Sequence, residues 1–331
     1  MKIAIVKLSA MGDIVHAMVA LQFIKSHYPE SKIDWIVEES FASVLQHNPH
    51  IDNILTVNLK ALKIEKRKLF LEIKKVKSYA KNNYDIVIDV QGLIKSAIVA
   101  RILGKTAGFD SKSIREKQAS WFYNIRFSIP YDMNVIERNF LLIMQSINIS
   151  YDISVLKKKE PFLFFDDSNK EKILPYLKAE EKNIVYILGS SWESKMYPKE
   201  KFITLIEALD GNHILVWGSA EEKERAEYIA QHCSALVLPK LTLNELKALV
   251  ASADLVIGGD SGPTHMAWAL NKPSITLFGP TPSKRNTMET EINKVLDCGK
   301  EIDPLNLNKN DPCIQDIPVE KIVALVEELC L

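Results

Sequence analysis

The sequence has few cysteines, no surplus of either charge and no long apolar run, and each shortage excludes something. Four cysteines, Cys233, Cys298, Cys313 and Cys330, are scattered along 331 residues with no C-x-x-C spacing. That argues against a zinc site or a disulfide scaffold and fits a reducing compartment. Lys plus Arg number 42 and Asp plus Glu number 42, so the formal charge is zero. Bulk nucleic-acid binding does not suit that balance, and any electrostatic partner has to meet a local patch. No apolar run approaches the about 18 residues of a membrane-spanning helix. The opening stretch, Met1 to Lys7, is too short and too interrupted for a secretory signal. The expectation is a cytoplasmic protein, with contact at a membrane surface left open. G-x-G-x-x-G is also missing after the first strand of either half, which weakens a dehydrogenase reading.

What is present is ordinary globular material: 47% hydrophobic and 25% charged residues. At roughly 150 residues per domain the length suggests two domains. Short apolar runs at 3–6, 33–37, 54–57, 86–90 and 106–109 read as strands. Helical patterns lie between them, including 14–24, 64–81 and 93–103. After a less regular stretch and a charged, Pro-terminated joint at 157–161, a second alternation begins with a strand at 184–188. It continues through strands at 214–217, 236–238, 255–257 and 274–278. The expected architecture is α/β: two Rossmann-like domains, 1–160 and 161–331, each a parallel sheet covered by helices, facing a central cleft.

Four loops follow strands, where open α/β sheets carry their ligands. The first, Lys7 to Asp13, puts Asp13 at a helix start. There it would serve as an N-cap, or as a general base if a hydroxyl comes within reach. The second, Gly258 to His265, has two glycines, then Asp260, Ser261, Gly262, Pro263 and His265. A helix start of this kind is an anion site suited to a diphosphate, with His265 a donor to phosphate or sugar; it is otherwise a capped helix. The third, Leu188 to Pro198, offers Ser190 and Ser191 as hydroxyl donors and Lys195 as a positive charge for a departing diphosphate, or else is a polar surface loop. The fourth, Trp217 to Arg225, offers Glu222 to a ribose, though an acid at a helix start also favours the helix dipole. A basic stretch, Lys60 to Lys81, carries nine basic and two acidic residues. It is either a solvated face or a surface for an anionic acceptor or membrane.

Several stretches resemble the heptosyltransferase family of lipopolysaccharide core synthesis: Val6 to His16, Ile33 to Glu39, Tyr84 to Ala97, Asp260 to His265, and Phe278 to Thr281. The resemblance spans nearly the whole chain, and the second and third stretches are similar to the branch that adds the first heptose. It implies the two-domain glycosyltransferase-B fold, with the last helix, 319–329, packing back across the first domain. It implies an inverting, metal-independent transfer from ADP-L-glycero-β-D-manno-heptose to the inner Kdo of Kdo-lipid A, forming an α-1,5 link. ADP-heptose is then a substrate and there is no cofactor. The enzyme would be peripheral on the cytoplasmic face of the inner membrane.

Carried onto this sequence, the family's base falls on Asp13; with Lys195, read above as the charge for the departing diphosphate, it makes the expected catalytic pair. Its donor site falls on Ser190, Ser191, Lys195, Glu222, Leu241, Asp260, Ser261, Gly262 and His265. Relatives often carry Thr at 190, 191 and 261 and Met at 241. Ser keeps the hydroxyl, and Leu keeps an apolar wall for adenine. On the acceptor side the resemblance points to Arg115, with Lys60, Lys63 and Lys66 as phosphate or Kdo contacts. The rival readings are the family branch that adds a second heptose and a non-catalytic nucleotide-sugar binder.

Overall fold

The structure, a computed structural model, describes residues 1–61 and 66–329. It divides into two compact units, Met1–Phe162 and Leu163–Leu331. The first holds strands β1 (Lys2–Val6), β2 (Lys32–Glu38), β3 (Asn53–Val57), β4 (Tyr84–Asp89), β5 (Gly104–Phe109) and β6 (Ile125–Phe127). They form one sheet in the order β3-β2-β1-β4-β5-β6, parallel at every pair. The central strands are buried on both faces, which is why β1 reads as a continuous apolar run rather than an alternating one. Val6, Leu8, Ile36, Val57, Val87 and Val99 belong to one core beneath it.

The second unit repeats the plan. It holds β7 (Asn183–Ile187), β8 (Asn212–Val216), β9 (Leu236–Val237), β10 (Leu255–Gly259), β11 (Ser274–Phe278) and β12 (Asn293–Asp297). The sheet order is β12-β11-β10-β7-β8-β9, again parallel throughout. Renumbered within the unit, this is the order of the first sheet. Each unit is therefore a doubly wound Rossmann-like sheet whose strand order reverses beside its first strand, and that reversal opens a crevice at the carboxyl edge.

Two strands have no counterpart in the sequence expectation, β6 and β12. The helix expected over 64–81 is an α-helix only over Leu69–Tyr79, after a 3₁₀ turn at Lys66–Lys68. The helix expected over 14–24 is split in two, Met11–Met18 and Ala20–His27. The last helix, Val319–Glu328, buries Val319, Ile322 and Val326 in the second unit's own core, against the Lys199–Glu207 helix. Among the described residues no helix is long and apolar enough to cross a membrane.

Candidate active site

In the first unit the chain leaves β1 through Lys7 to Ala10 and enters the Met11–Met18 helix. Asp13 occupies the third helical position, half-buried, and its Oδ2 accepts the Ala10 amide at 3.2 Å. The loop is held from the next strand. Gln91, just beyond β4, turns its Oε1 to the amides of Leu8 and Ser9, both at 3.0 Å. Gln91 is itself fixed by Asp89, a fully buried carboxylate at the end of β4. Asp89 accepts from the Gln91 and Gly92 amides (2.9 and 3.2 Å), from Ser96 Oγ (2.8 Å) and from the Tyr123 hydroxyl (2.7 Å). A chain of hydrogen bonds thus runs from the core of the sheet to the loop that presents Asp13. Replacing Gln91 by Ala leaves two loop amides without their acceptor. The expected result is a kcat about tenfold to a hundredfold lower, the scale of a misplacement near 1 Å, with ADP affinity unchanged by calorimetry.

Two of the expected acceptor residues, Lys60 and Arg115, follow strands at the same edge. Lys60 follows β3, exposed; its Nζ is 3.3 Å from Ser40 Oγ and 4.3 Å from the centre of the Phe41 ring. Arg115 is exposed in the loop after β5. Lys63 lies outside the described residues, and of Lys66 only its place in the Lys66–Lys68 turn is described.

In the second unit the loops after β7, β10 and β11 converge on one carboxylate. Asp260, directly after β10, is 7% exposed. Its Oδ2 lies 2.7 Å from Lys195 Nζ and accepts the Thr281 hydroxyl at 2.8 Å. Its Oδ1 lies 3.0 Å from His265 Nε2, so that ring nitrogen carries the proton. Ser190 donates to the Asp260 carbonyl at 3.3 Å. Burial alone would push the Asp260 carboxyl up. The Lys195 ammonium and the hydrogen bonds from His265 and Lys195 overcome it and hold the group well below the usual carboxylate range.

Glycine at 259 lets these loops meet, because a Cβ there would stand 2.6 Å from the Lys195 carbonyl. Beside them the Gly262–Ala269 helix begins, with Pro263 in its first turn. Thr264 donates its hydroxyl to the Gly259 carbonyl (2.8 Å), which leaves Ser261 Oγ as the donor to Thr264 Oγ1 (3.1 Å). The first amides of this helix have no partner within it, an arrangement suited to an anion.

Glu222 sits on the neighbouring Ala220–Ala230 helix, capped by Ser219. Its carboxylate accepts the Gly218 amide at 2.6 Å and packs against Gly189, where any side chain would collide with it. Glu222 thereby adjoins the Ser190 loop. Leu241 is half-buried after β9, and Ser191 is exposed.

The structure therefore gathers Lys195, Asp260, His265, Ser190, Ser261 and Gly262 into one cluster with Glu222 at its side. His265 engages Asp260 through its Nε2. Two contributors were not expected, Gln91 and Thr281. Both stand one to three residues beyond the end of a central strand, which is the positional signal that could have found them. Among the described residues no group of three or more His, Cys, Asp or Glu side chains is arranged to hold a metal ion.

The glycosyltransferase family 9 (heptosyltransferase) profile matches residues 73–301. The chain belongs to glycosyltransferase family 9. The family's lipopolysaccharide heptosyltransferase 1 of Campylobacter coli is 41% identical over 99% of each chain. That of Escherichia coli K12 is 32% identical over 85% of this chain and 88% of its own. Among solved structures, the family's E. coli heptosyltransferase WaaC with ADP-2-deoxy-2-fluoro heptose superposes with a TM-score of 0.79 at 27% identity, covering 99% of each chain. The fold is that of the family, and the catalytic class is glycosyl transfer.

Proposed function

We propose that this glycosyltransferase moves heptose from ADP-L-glycero-β-D-manno-heptose to the inner Kdo of Kdo-lipid A, forming the α-1,5 link. The observation that carries the reading is the Lys195–Asp260–His265 cluster beside an open helix start, a site made for a diphosphate. The C. coli relative, similar end to end, is a lipopolysaccharide heptosyltransferase 1. The E. coli structure holds an ADP-heptose analogue.

In this mechanism Asp13 accepts the proton of the Kdo hydroxyl. The oxygen attacks the anomeric carbon from the face opposite ADP, and the bond from that carbon to the phosphate oxygen breaks. A β-configured donor then yields an α-linked product. Charge accumulates on the departing diphosphate, where Lys195 and the amides at Gly262 and Thr264 neutralise it. An ammonium and a helix start supply the positive charge, so the reaction requires no metal ion. The acceptor is held in a bilayer by its acyl chains and the donor is water-soluble, so the enzyme works as a peripheral protein on the cytoplasmic face of the inner membrane.

The test is an incubation of purified protein with ADP-heptose, Kdo-lipid A lacking heptose, and EDTA, read by mass spectrometry. One added heptose is the expected result. Product only with an already heptosylated acceptor would move the chain to the branch that adds the second heptose. ADP-heptose binding without turnover on either acceptor would make it a nucleotide-sugar binder.

A further inference from the structure

Some of the most exposed large apolar side chains stand on neighbouring elements of the first unit. Phe70 is 75% exposed, Trp121 74% and Leu71 62%, with Ile94 and Ile98 around 40%. They stand on three elements packed side by side: the Leu69–Tyr79 helix, the Ile94–Leu103 helix, and the 3₁₀ segment Lys117–Phe122. The first helix follows β3 and the second follows β4, so Phe70, Leu71 and Ile94 sit at the carboxyl edge of the sheet. That is the edge that carries Asp13. Exposed apolar side chains on three adjoining elements are uncommon on a surface that faces only water.

The charges around it are sorted. Lys74 and Lys77 are exposed on the first helix, Lys95 and Arg101 on the second, and Lys117 on the third segment. Glu72, the one acidic residue on these elements, and Glu116, just before the third, are half-buried and engaged with the backbone. Glu72 accepts the Asn58 amide at 3.0 Å, and Glu116 accepts the Ile94 amide at 2.7 Å. What faces outward is therefore apolar and cationic together. An aromatic ring on a cationic face suits the interface of an anionic bilayer, where the ring enters the headgroup layer and the ammonium groups meet phosphates.

We infer that Phe70, Leu71 and Trp121, with the lysines around them, form a docking face for an anionic lipid surface. The inference rests on the proposed lipid-borne acceptor. It adds to that proposal the part of the molecule that meets the bilayer, with Phe70 and Leu71 at the edge that carries Asp13.

The experiment uses the full chain and the variant Phe70→Ser/Leu71→Ser/Trp121→Ser, whose side chains are exposed enough to leave folding intact. Co-sedimentation is measured with vesicles of phosphatidylglycerol and phosphatidylethanolamine, and with phosphatidylcholine alone. The wild type is expected to bind the anionic vesicles and to lose binding as salt rises, and the variant to bind at least tenfold more weakly. A second variant, Lys74→Glu/Lys77→Glu, is expected to lose the preference for anionic lipid. Heptosyl transfer to a deacylated, water-soluble Kdo acceptor is expected to be unchanged in both variants. Equal vesicle binding by wild type and triple variant would overturn the inference. So would a wild-type dimer, seen by light scattering and lost in the triple variant with vesicle binding unaffected, which would assign the face to a second copy of the chain. Vesicle binding that obeys the inference without transfer to any acceptor would sink the proposed reaction and leave the docking face standing.

Discussion

Asp13→Asn is expected to lower kcat about 10²- to 10⁴-fold, the range general-base catalysis supplies, while ADP and ADP-heptose bind as before. The argument is one of position. Asp13 belongs to the first unit, after β1, and every group proposed to meet the diphosphate belongs to the second. Asn has nearly the same shape and can still accept the Ala10 amide that Asp13 accepts at 3.2 Å. Loop geometry is thus retained and only the proton acceptor is lost. Steady-state kinetics with saturating acceptor, paired with calorimetric titration of ADP, separates the two roles. A parallel fall in ADP affinity would assign Asp13 to the donor site and leave the reaction without its base. Gln91→Ala approaches the same loop from the other side and is expected to show the same split at smaller amplitude.

How far such assignments could be made before the fold was known depends on where each residue sits. The central strands were legible because they are buried on both faces and read as apolar runs, as in Ile3 to Val6 and Leu255 to Ile257. The two missed strands, β6 and β12, are both sheet edges. Ile125-Arg126-Phe127 has no fully buried residue, and Asn293 to Asp297 is polar at both ends. Edge strands of this composition discourage pairing with other chains, and for the same reason they carry little hydrophobic signal. Asp260, Lys195 and His265 were legible as residue types in loops after strands. Their mutual contact was not, because Lys195 and Asp260 are 65 residues apart and meet only when β7 and β10 pair. Thr281 was hidden in the same way: it reaches Asp260 only because β11 pairs with β10. Gln91 was within view in the stretch that carries the resemblance, yet nothing in its type says that it accepts two amides from a loop more than 80 residues earlier.

The Lys195–Asp260 pair leads to a second large effect, on stability. Both groups are nearly buried, at 9% and 7% exposure. Asp260→Asn keeps the shape and removes the charge, which strands a buried ammonium. Breaking a buried pair in this way costs about 3–5 kcal/mol, measured here as a fall in the urea midpoint at pH 7. The double variant Lys195→Met/Asp260→Asn removes both charges and is expected to recover most of that loss, because the desolvation of the pair offsets much of its attraction. Transfer activity should not return, since the diphosphate then departs without the Lys195 charge. The pH dependence follows from the sign of the shift. The Asp260 carboxyl is held below its unfolded value, so the folded state keeps it ionised where the unfolded chain has begun to bind a proton. Its contribution is complete above about pH 4, the ordinary carboxylate range, and falls as the pH drops further. Wild-type protein should therefore lose stability more steeply below about pH 4 than the double variant. If the double variant were as unstable as Asp260→Asn, the cost would lie in the lost hydrogen bonds to His265 and Thr281 rather than in a stranded charge. If the double variant were stable and still active, Lys195 would be a partner for Asp260 alone, and the leaving group's charge would fall to the helix start at Gly262.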